Sequence, residues 1–275
     1  MEAGEAPSKR RKLEEGSAPY QGTVFDMQGR VVLVTGGSKG LGLAMARGYA
    51  EAGADVVIAS RHKAELDIAL AEITAGLPIR GLAVEADMQD RASVKCLVQT
   101  ALKAMGHVDV LVNNAGINIP EAISEVTDEA WDRVIEVNLT SCMGLTRELV
   151  PQMKERRWGR IIHISSMFGL QSKAGRSAYS ATKSGLLGLT RASAIELGSF
   201  GITVNAICPG LFLTDMPKNL LSKEQLDNFA ARAALERVAE PKELVGTALL
   251  LGSEAGSYIT GTHITVDGGT VAKGP

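Results

Sequence analysis

Val31-Val32-Leu33-Val34-Thr35-Gly36-Gly37-Ser38-Lys39-Gly40-Leu41-Gly42 is the stretch that decides the fold. Its apolar opening, mostly β-branched, reads as a strand buried on both faces, and the glycines that follow mark an abrupt turn. From Gly40 the pattern becomes helical and runs to Ala52, where Gly53 stops it. Strand, glycine turn and helix start in this order leave backbone N–H groups at the helix N-terminus without intrahelical partners, and such groups face an anion. Glycine lets the backbone approach that anion closely. Gly36, Gly40 and Gly42 are spaced TGxxxGxG rather than the GxGxxG of the commonest dinucleotide fingerprint.

The same alternation repeats along the chain. Strand patterns occupy 55–59, 79–84, 108–112, 160–164, 202–207 and 263–266. Helical patterns occupy 62–75, 90–105, 127–156, 177–197 and 241–251, with a break expected at Pro151. Continuous apolar strands alternating with helices imply a parallel sheet covered on both faces. The fold expected over 23–275 is a single α/β domain, a doubly wound parallel sheet of the Rossmann type, with ligands beyond the carboxyl ends of the strands. A helical, amphipathic stretch over 214–232 suits a small lid.

Composition narrows the function classes. At 275 residues and 45% hydrophobic content the chain can build a substantial core. A formal net charge of -2 argues against a protein that lives on nucleic acid. No apolar run reaches the length of about 18 residues that a membrane helix needs, and no apolar leader follows the N-terminus. The expected location is cytoplasmic. Cys96, Cys142 and Cys208 lack CxxC spacing, and His62, His107 and His263 have no ligand pattern, so neither disulfide nor metal is expected. His163, inside a strand pattern, reads as a core histidine with its hydrogen bonds satisfied, and Cys208 as an inert buried thiol. Residues 1–22 read as a disordered charged tail. Its Lys9-Arg10-Arg11-Lys12 cluster is balanced by nearby glutamates, which favours a solvated tail over a nuclear import signal.

Cofactor choice is read at the end of the second strand. A carboxylate there would hold a ribose 2′-hydroxyl, but the sequence places Ser60-Arg61-His62. Arg61 can clasp a 2′-phosphate, and Lys39 in the glycine loop adds a second cation. The nearest acid in that strand, Asp55, stands at its other end. NADP is therefore expected over NAD.

Tyr179 and Lys183 are four apart in a helical pattern and so share a face. An isolated phenol, with a pKa near 10, transfers protons poorly at neutral pH. A cation about 4 Å away favours the phenolate by about 4 kcal/mol at an effective dielectric of about 20. Ser166 follows the strand pattern 160–164, Asn113-Asn114-Ala115-Gly116 follows 108–112, and Asn138 lies in the long helical stretch.

In order and spacing these motifs resemble the short-chain dehydrogenase/reductase family over about residues 24–270. The stretches Ser172-Lys173-Ala174-Gly175-Arg176-Ser177-Ala178-Tyr179 and Pro209-Gly210-Leu211-Phe212-Leu213-Thr214 look like its gluconate 5-dehydrogenase and 3-oxoacyl-carrier-protein reductase branch. The resemblance implies hydride transfer between NADP and a ketone or secondary alcohol. Tyr179 would be the acid or base, Lys183 its partner and a ribose ligand, Ser166 a donor to the substrate oxygen, and Asn138 the holder of a relay water. Cofactor contacts would come from Gly36, Ser38, Lys39, Gly40, Leu41, Gly42, Ser60, Arg61, Asp87, Met88, Asn114, Ala115, Gly116, Pro209, Gly210, Phe212 and Thr214. Phe212 departs from the Val or Ile common in the family, which makes that contact looser or the pocket smaller.

The substrate side is expected to use Ser166, Phe168, Arg176 and Tyr179, with Ile117, Asn118, Met167 and Gln171 as further walls. Arg176 is a candidate anchor for a carboxylate or phosphate. A sugar acid or hydroxy acid such as 5-ketogluconate and a 3-oxoacyl thioester both remain open, as does a non-catalytic NADP-binding regulator directed by the tail. The resemblance also implies a homotetramer built through the helices of Asn138 and Tyr179.

Overall fold

Strand β1 (Val31–Thr35) has every residue buried, as its apolar run requires. It is the third strand of a seven-stranded sheet in the computed structural model, which describes residues 23–214 and 222–273. The tail reading and its basic cluster lie outside the described residues, as does the 215–221 part of the expected lid.

The sheet order is β3-β2-β1-β4-β5-β6-β7. The other strands are β2 (Asp55–Ser60), β3 (Gly81–Glu85), β4 (Val110–Asn113), β5 (Gly159–Ile164), β6 (Ile202–Pro209) and β7 (His263–Val266). All pairings are parallel. The chain moves outward from β1 to β3 and then returns to place β4 on the other side of β1. That reversal opens a crevice between the carboxyl ends of β1 and β4.

Side chains alternate across the sheet. Val32 and Val34 face a core with Met45, Tyr49 and Leu251, while Val31 and Leu33 face one with Leu97, Leu145 and Leu149. Helices α1 (Gly40–Glu51) and α3 (Arg91–Met105) supply Met45, Tyr49 and Leu97, and α2 (Lys63–Thr74) adds Leu66, Ala69 and Ile73 to the first core. Asp90 caps α3, its carboxylate accepting the Ala92 N–H at 2.8 Å.

The expected break at Pro151 is corrected. The stretch 127–156 comprises α4 (Asp128–Ile135), a π turn at Glu136–Thr140 and α5 (Ser141–Arg156), with Pro151 inside α5. The irregularity falls fifteen residues earlier than the proline suggests, at the turn that carries Asn138. A π turn inserts one residue per turn and re-aims side chains, which hydrophobic periodicity alone does not reveal. Pattern 241–251 likewise divides into a 3₁₀ turn, Pro241–Leu244, and α8 (Val245–Gly252). Between α6 (Ser177–Leu197) and that turn, α7 (Lys223–Arg232) is the described helical part of 214–232.

Candidate active site

The glycine loop is held from behind by the loop after β4. Thr35 Oγ1 accepts the N–H groups of Asn114 and Ala115, both at 3.0 Å. Asn114 Nδ2 donates to the carbonyls of Thr35 at 2.8 Å and Gly36 at 3.2 Å. Gly36 has φ +64, and a Cβ on Gly42 would lie 2.1 Å from Gly36 O. Glycine is therefore required at both places, one for backbone conformation and one for close approach. Asn114 braces the loop as well as lining the cleft in front of it.

That cleft, about 450 Å³, opens at the carboxyl ends of the strands. Of the expected cofactor residues it brings together Gly36, Ser38, Lys39, Gly40, Leu41, Ser60, Arg61, Asp87, Met88, Asn114, Ala115, Gly116, Tyr179, Gly210, Phe212 and Thr214. Gly42, Lys183 and Pro209 stand behind its surface; Pro209 closes β6, and Lys183 is almost wholly buried. Phe212 is 4% exposed and belongs to the same core as Leu244, so its ring fills the protein while bordering the cleft. Ile117, Val137 and Leu211 also line it.

One wall residue corrects the sequence reading, which found no carboxylate beside Arg61. Glu65, in the first turn of α2, lines the cleft and pairs with Lys39 at 3.5 Å. The acid was legible only as a helix-surface residue. Both partners are largely exposed, so the pair is weak and open to exchange. Arg61 itself makes no ion pair among the described residues. Asp87 accepts the Gln89 N–H through Oδ1 at 2.9 Å, which fixes its turn.

Tyr179 and Lys183 lie one turn apart on α6. Lys183 Nζ stands 5.5 Å from the Tyr179 ring centroid and donates to Ile164 O at 2.8 Å. Ser165 Oγ donates to Lys183 O at 2.8 Å and fastens α6 to the end of β5. Ser166 begins the 3₁₀ turn Met167–Gly169, where its Oγ accepts the Phe168 N–H at 3.1 Å and keeps its own proton to donate. Asn138 clamps Ile117: Oδ1 accepts its N–H and Nδ2 donates to its carbonyl, both at 2.8 Å. Nδ2 also donates to Thr182 Oγ1 at 3.2 Å. The Asn138 backbone carbonyl accepts from Cys142 Sγ at 3.4 Å.

His163 was expected to be a satisfied core residue, and half of that holds. It is fully buried and its Nδ1 accepts from Asn113 Nδ2 at 3.1 Å, but Nε2 has no partner. Burial, and then the charge of Lys183, push its pKa down to about 4. An unfolded chain binds a proton at this histidine between pH about 6.5 and 4 that the folded protein refuses. Stability should therefore fall as pH falls through that window. His163→Asn should make the fall shallower by one proton, about 1.4 kcal/mol per pH unit, in denaturation series at several pH values. Identical slopes would contradict the assignment. Burial raises the Cys142 thiol to about 11 and raises Cys208 as well, so neither is a ready thiolate.

A sequence model of the family described as short chain dehydrogenase matches residues 30–225. The chain belongs to the short-chain dehydrogenase/reductase family. D-beta-hydroxybutyrate dehydrogenase of Cupriavidus necator is 39% identical over 259 residues, covering 90% of this chain and 100% of the relative. A solved structure from Agrobacterium tumefaciens, provisionally named a gluconate dehydrogenase, has 38% identity and a TM-score of 0.86, covering 90% of this chain and 98% of that one. The 3-oxoacyl (acyl-carrier-protein) reductase of Agrobacterium tumefaciens C58, solved with NADP bound, has 31% identity and a TM-score of 0.85, covering 89% and 95%. This dehydrogenase is accordingly an oxidoreductase acting on hydroxyl or keto groups. Among the described residues no helix is long and apolar enough to cross a membrane, and no group of His, Cys, Asp and Glu is placed to hold a metal.

Proposed function

We propose that the dehydrogenase uses NADP to interconvert a ketone and a secondary alcohol on a sugar acid or hydroxy acid of the 5-ketogluconate and gluconate kind. The observation that carries this reading is one cleft lined both by Tyr179 and by the cations Lys39 and Arg61. The glycine loop fits a dinucleotide: Gly36 and Gly40 take positive φ where the loop lines the cleft, and helix α1 begins there with free N–H groups.

When bound, NADP supplies or accepts the hydride. The chain's residues do the rest. Tyr179 gives its phenolic proton to the substrate oxygen in reduction and takes it back in oxidation. Lys183, held by Ile164 O, keeps a positive charge beneath that phenol and can bind the nicotinamide ribose. The free Ser166 hydroxyl proton stabilises charge growing on the substrate oxygen. Asn138 fixes Ile117 and the loop ahead of it, and would hold a water of the proton relay. Asn114, Gly116, Asp87 and Met88 serve the adenosine half; Pro209, Gly210, Phe212 and Thr214 serve the nicotinamide half. Phe168 and Arg176 face the substrate.

A 3-oxoacyl thioester is the second reading, favoured by the likeness to the NADP-bound 3-oxoacyl reductase. The assembly proposed from family resemblance is a homotetramer. Arg61→Ala should weaken NADPH binding about tenfold and NADH binding little, since only NADPH brings a phosphate to the guanidinium. Glu65→Gln should tighten NADPH binding a few-fold by freeing Lys39. Fluorescence titration with both cofactors checks the two variants; equal losses for NADPH and NADH in Arg61→Ala would overturn the NADP assignment.

A further inference from the structure

Resting on that reading of Tyr179 and Ser166, we propose that Ser165 and Ser184 are positioning residues, which with Gly169 form a clasp that sets the distance between the Ser166 hydroxyl and the Tyr179 phenol. The two hydroxyls that meet the substrate oxygen stand on different elements. Ser166 leads the 3₁₀ turn Met167–Gly169 after β5, whereas Tyr179 stands on α6. Their separation therefore depends on what joins the turn to the helix. A misplacement of about 1 Å in such a pair can cost about 100-fold in rate.

Two hydrogen bonds of opposite direction join them. Ser165 Oγ donates to Lys183 O at 2.8 Å, and Ser184 Oγ donates to Gly169 O at 3.0 Å. Adjacent residues of α6 thus hold the residue before the turn and the residue that ends it. Ser165 is itself fixed, because its N–H donates to Ile207 O of β6 at 2.7 Å. It is buried, so water does not compete for its hydroxyl. Gly169 lets the two backbones meet: a Cβ there would lie 2.7 Å from Ser165 Oγ and 2.9 Å from Lys183 O. Its φ is not positive, so close approach rather than conformation calls for glycine. Between the two ends of the clasp, the Phe168 ring meets Tyr179 edge-on, with centroids 6.4 Å apart. Ser165, Gly169 and Ser184 do not line the cofactor cleft, so the clasp acts on the reacting groups and not on NADPH binding.

The test is a double-mutant cycle read as NADPH-dependent reduction of a ketone. Ser165→Ala should lower kcat about tenfold, with KM and NADPH affinity changed less than about twofold. In a Ser166→Ala background the same substitution should cost less than about twofold, because the group it positions is gone. Ser184→Ala, at an exposed site of α6 that does not threaten folding, should show a smaller loss with the same dependence on Ser166. Equal losses with and without the Ser166 hydroxyl, or full activity in Ser165→Ala, would overturn the clasp and leave the oxidoreductase reading in place. If no ketone is reduced, or Ser166→Ala is fully active, the catalytic roles fail and hydrogen exchange of the NADPH-loaded protein decides on the clasp. The 168–171 amides are all bonded within the turn. Ser165→Ala should speed their exchange at least about tenfold while leaving that of the glycine loop unchanged. Unchanged exchange at 168–171 overturns the clasp.

Discussion

Tyr179→Phe is expected to lower kcat by about 1,000-fold while leaving NADPH affinity within about twofold. The substitution removes one hydroxyl and keeps the ring, so the edge-on contact with Phe168 survives. Lys183 also keeps its bond to Ile164 O, and the cleft keeps its shape. What disappears is the proton the substrate oxygen must receive. Loss of a general acid at that position corresponds to about 4 kcal/mol of transition-state stabilisation. Single-turnover kinetics with saturating NADPH separates this chemical step from binding. Residual turnover above about a tenth would remove Tyr179 from the proton-transfer role.

The second large effect is expected from Gly42→Ala. Its Cβ would stand 2.1 Å from Gly36 O and 2.5 Å from Asn114 Nδ2, far inside van der Waals contact. Either α1 slides away from the strand end, or Gly36 turns and Asn114 loses its grip on the loop. Overpacking of this kind costs about 1–3 kcal/mol, and here it pushes from behind on the glycine loop that lines the cleft. NADPH affinity should fall at least about tenfold, together with the denaturation midpoint. Gly246→Ala, exposed on α8 with nothing near its added methyl, should leave both unchanged or raise stability slightly. Matching losses in the two variants would show that close approach at Gly42 is not the cause.

The sheet was legible because its inner strands are buried on both faces and therefore read as apolar runs, Val31 to Val34 most plainly. The placement of the glycine loop, of Tyr179 with Lys183 on one helix, and of Ser166 after β5 was legible because it depends on short spacings or on strand ends. Other features depend on contacts that no spacing encodes. Pro151 drew attention to the wrong turn of the long helical stretch, because a proline is visible in sequence and a π turn is not. Glu65 was missed because its pairing with Lys39 joins residues that no short spacing links.

The measurement that tests the central claim most directly is steady-state oxidation of NADPH, against NADH, by the wild-type protein with 5-ketogluconate, an acetoacetyl thioester and simple ketones. The account predicts NADPH-dependent reduction of at least one ketone to its secondary alcohol, with kcat/KM at least about tenfold lower for NADH. Tight NADPH binding with no ketone reduced, or turnover indifferent to the choice of cofactor, would contradict it.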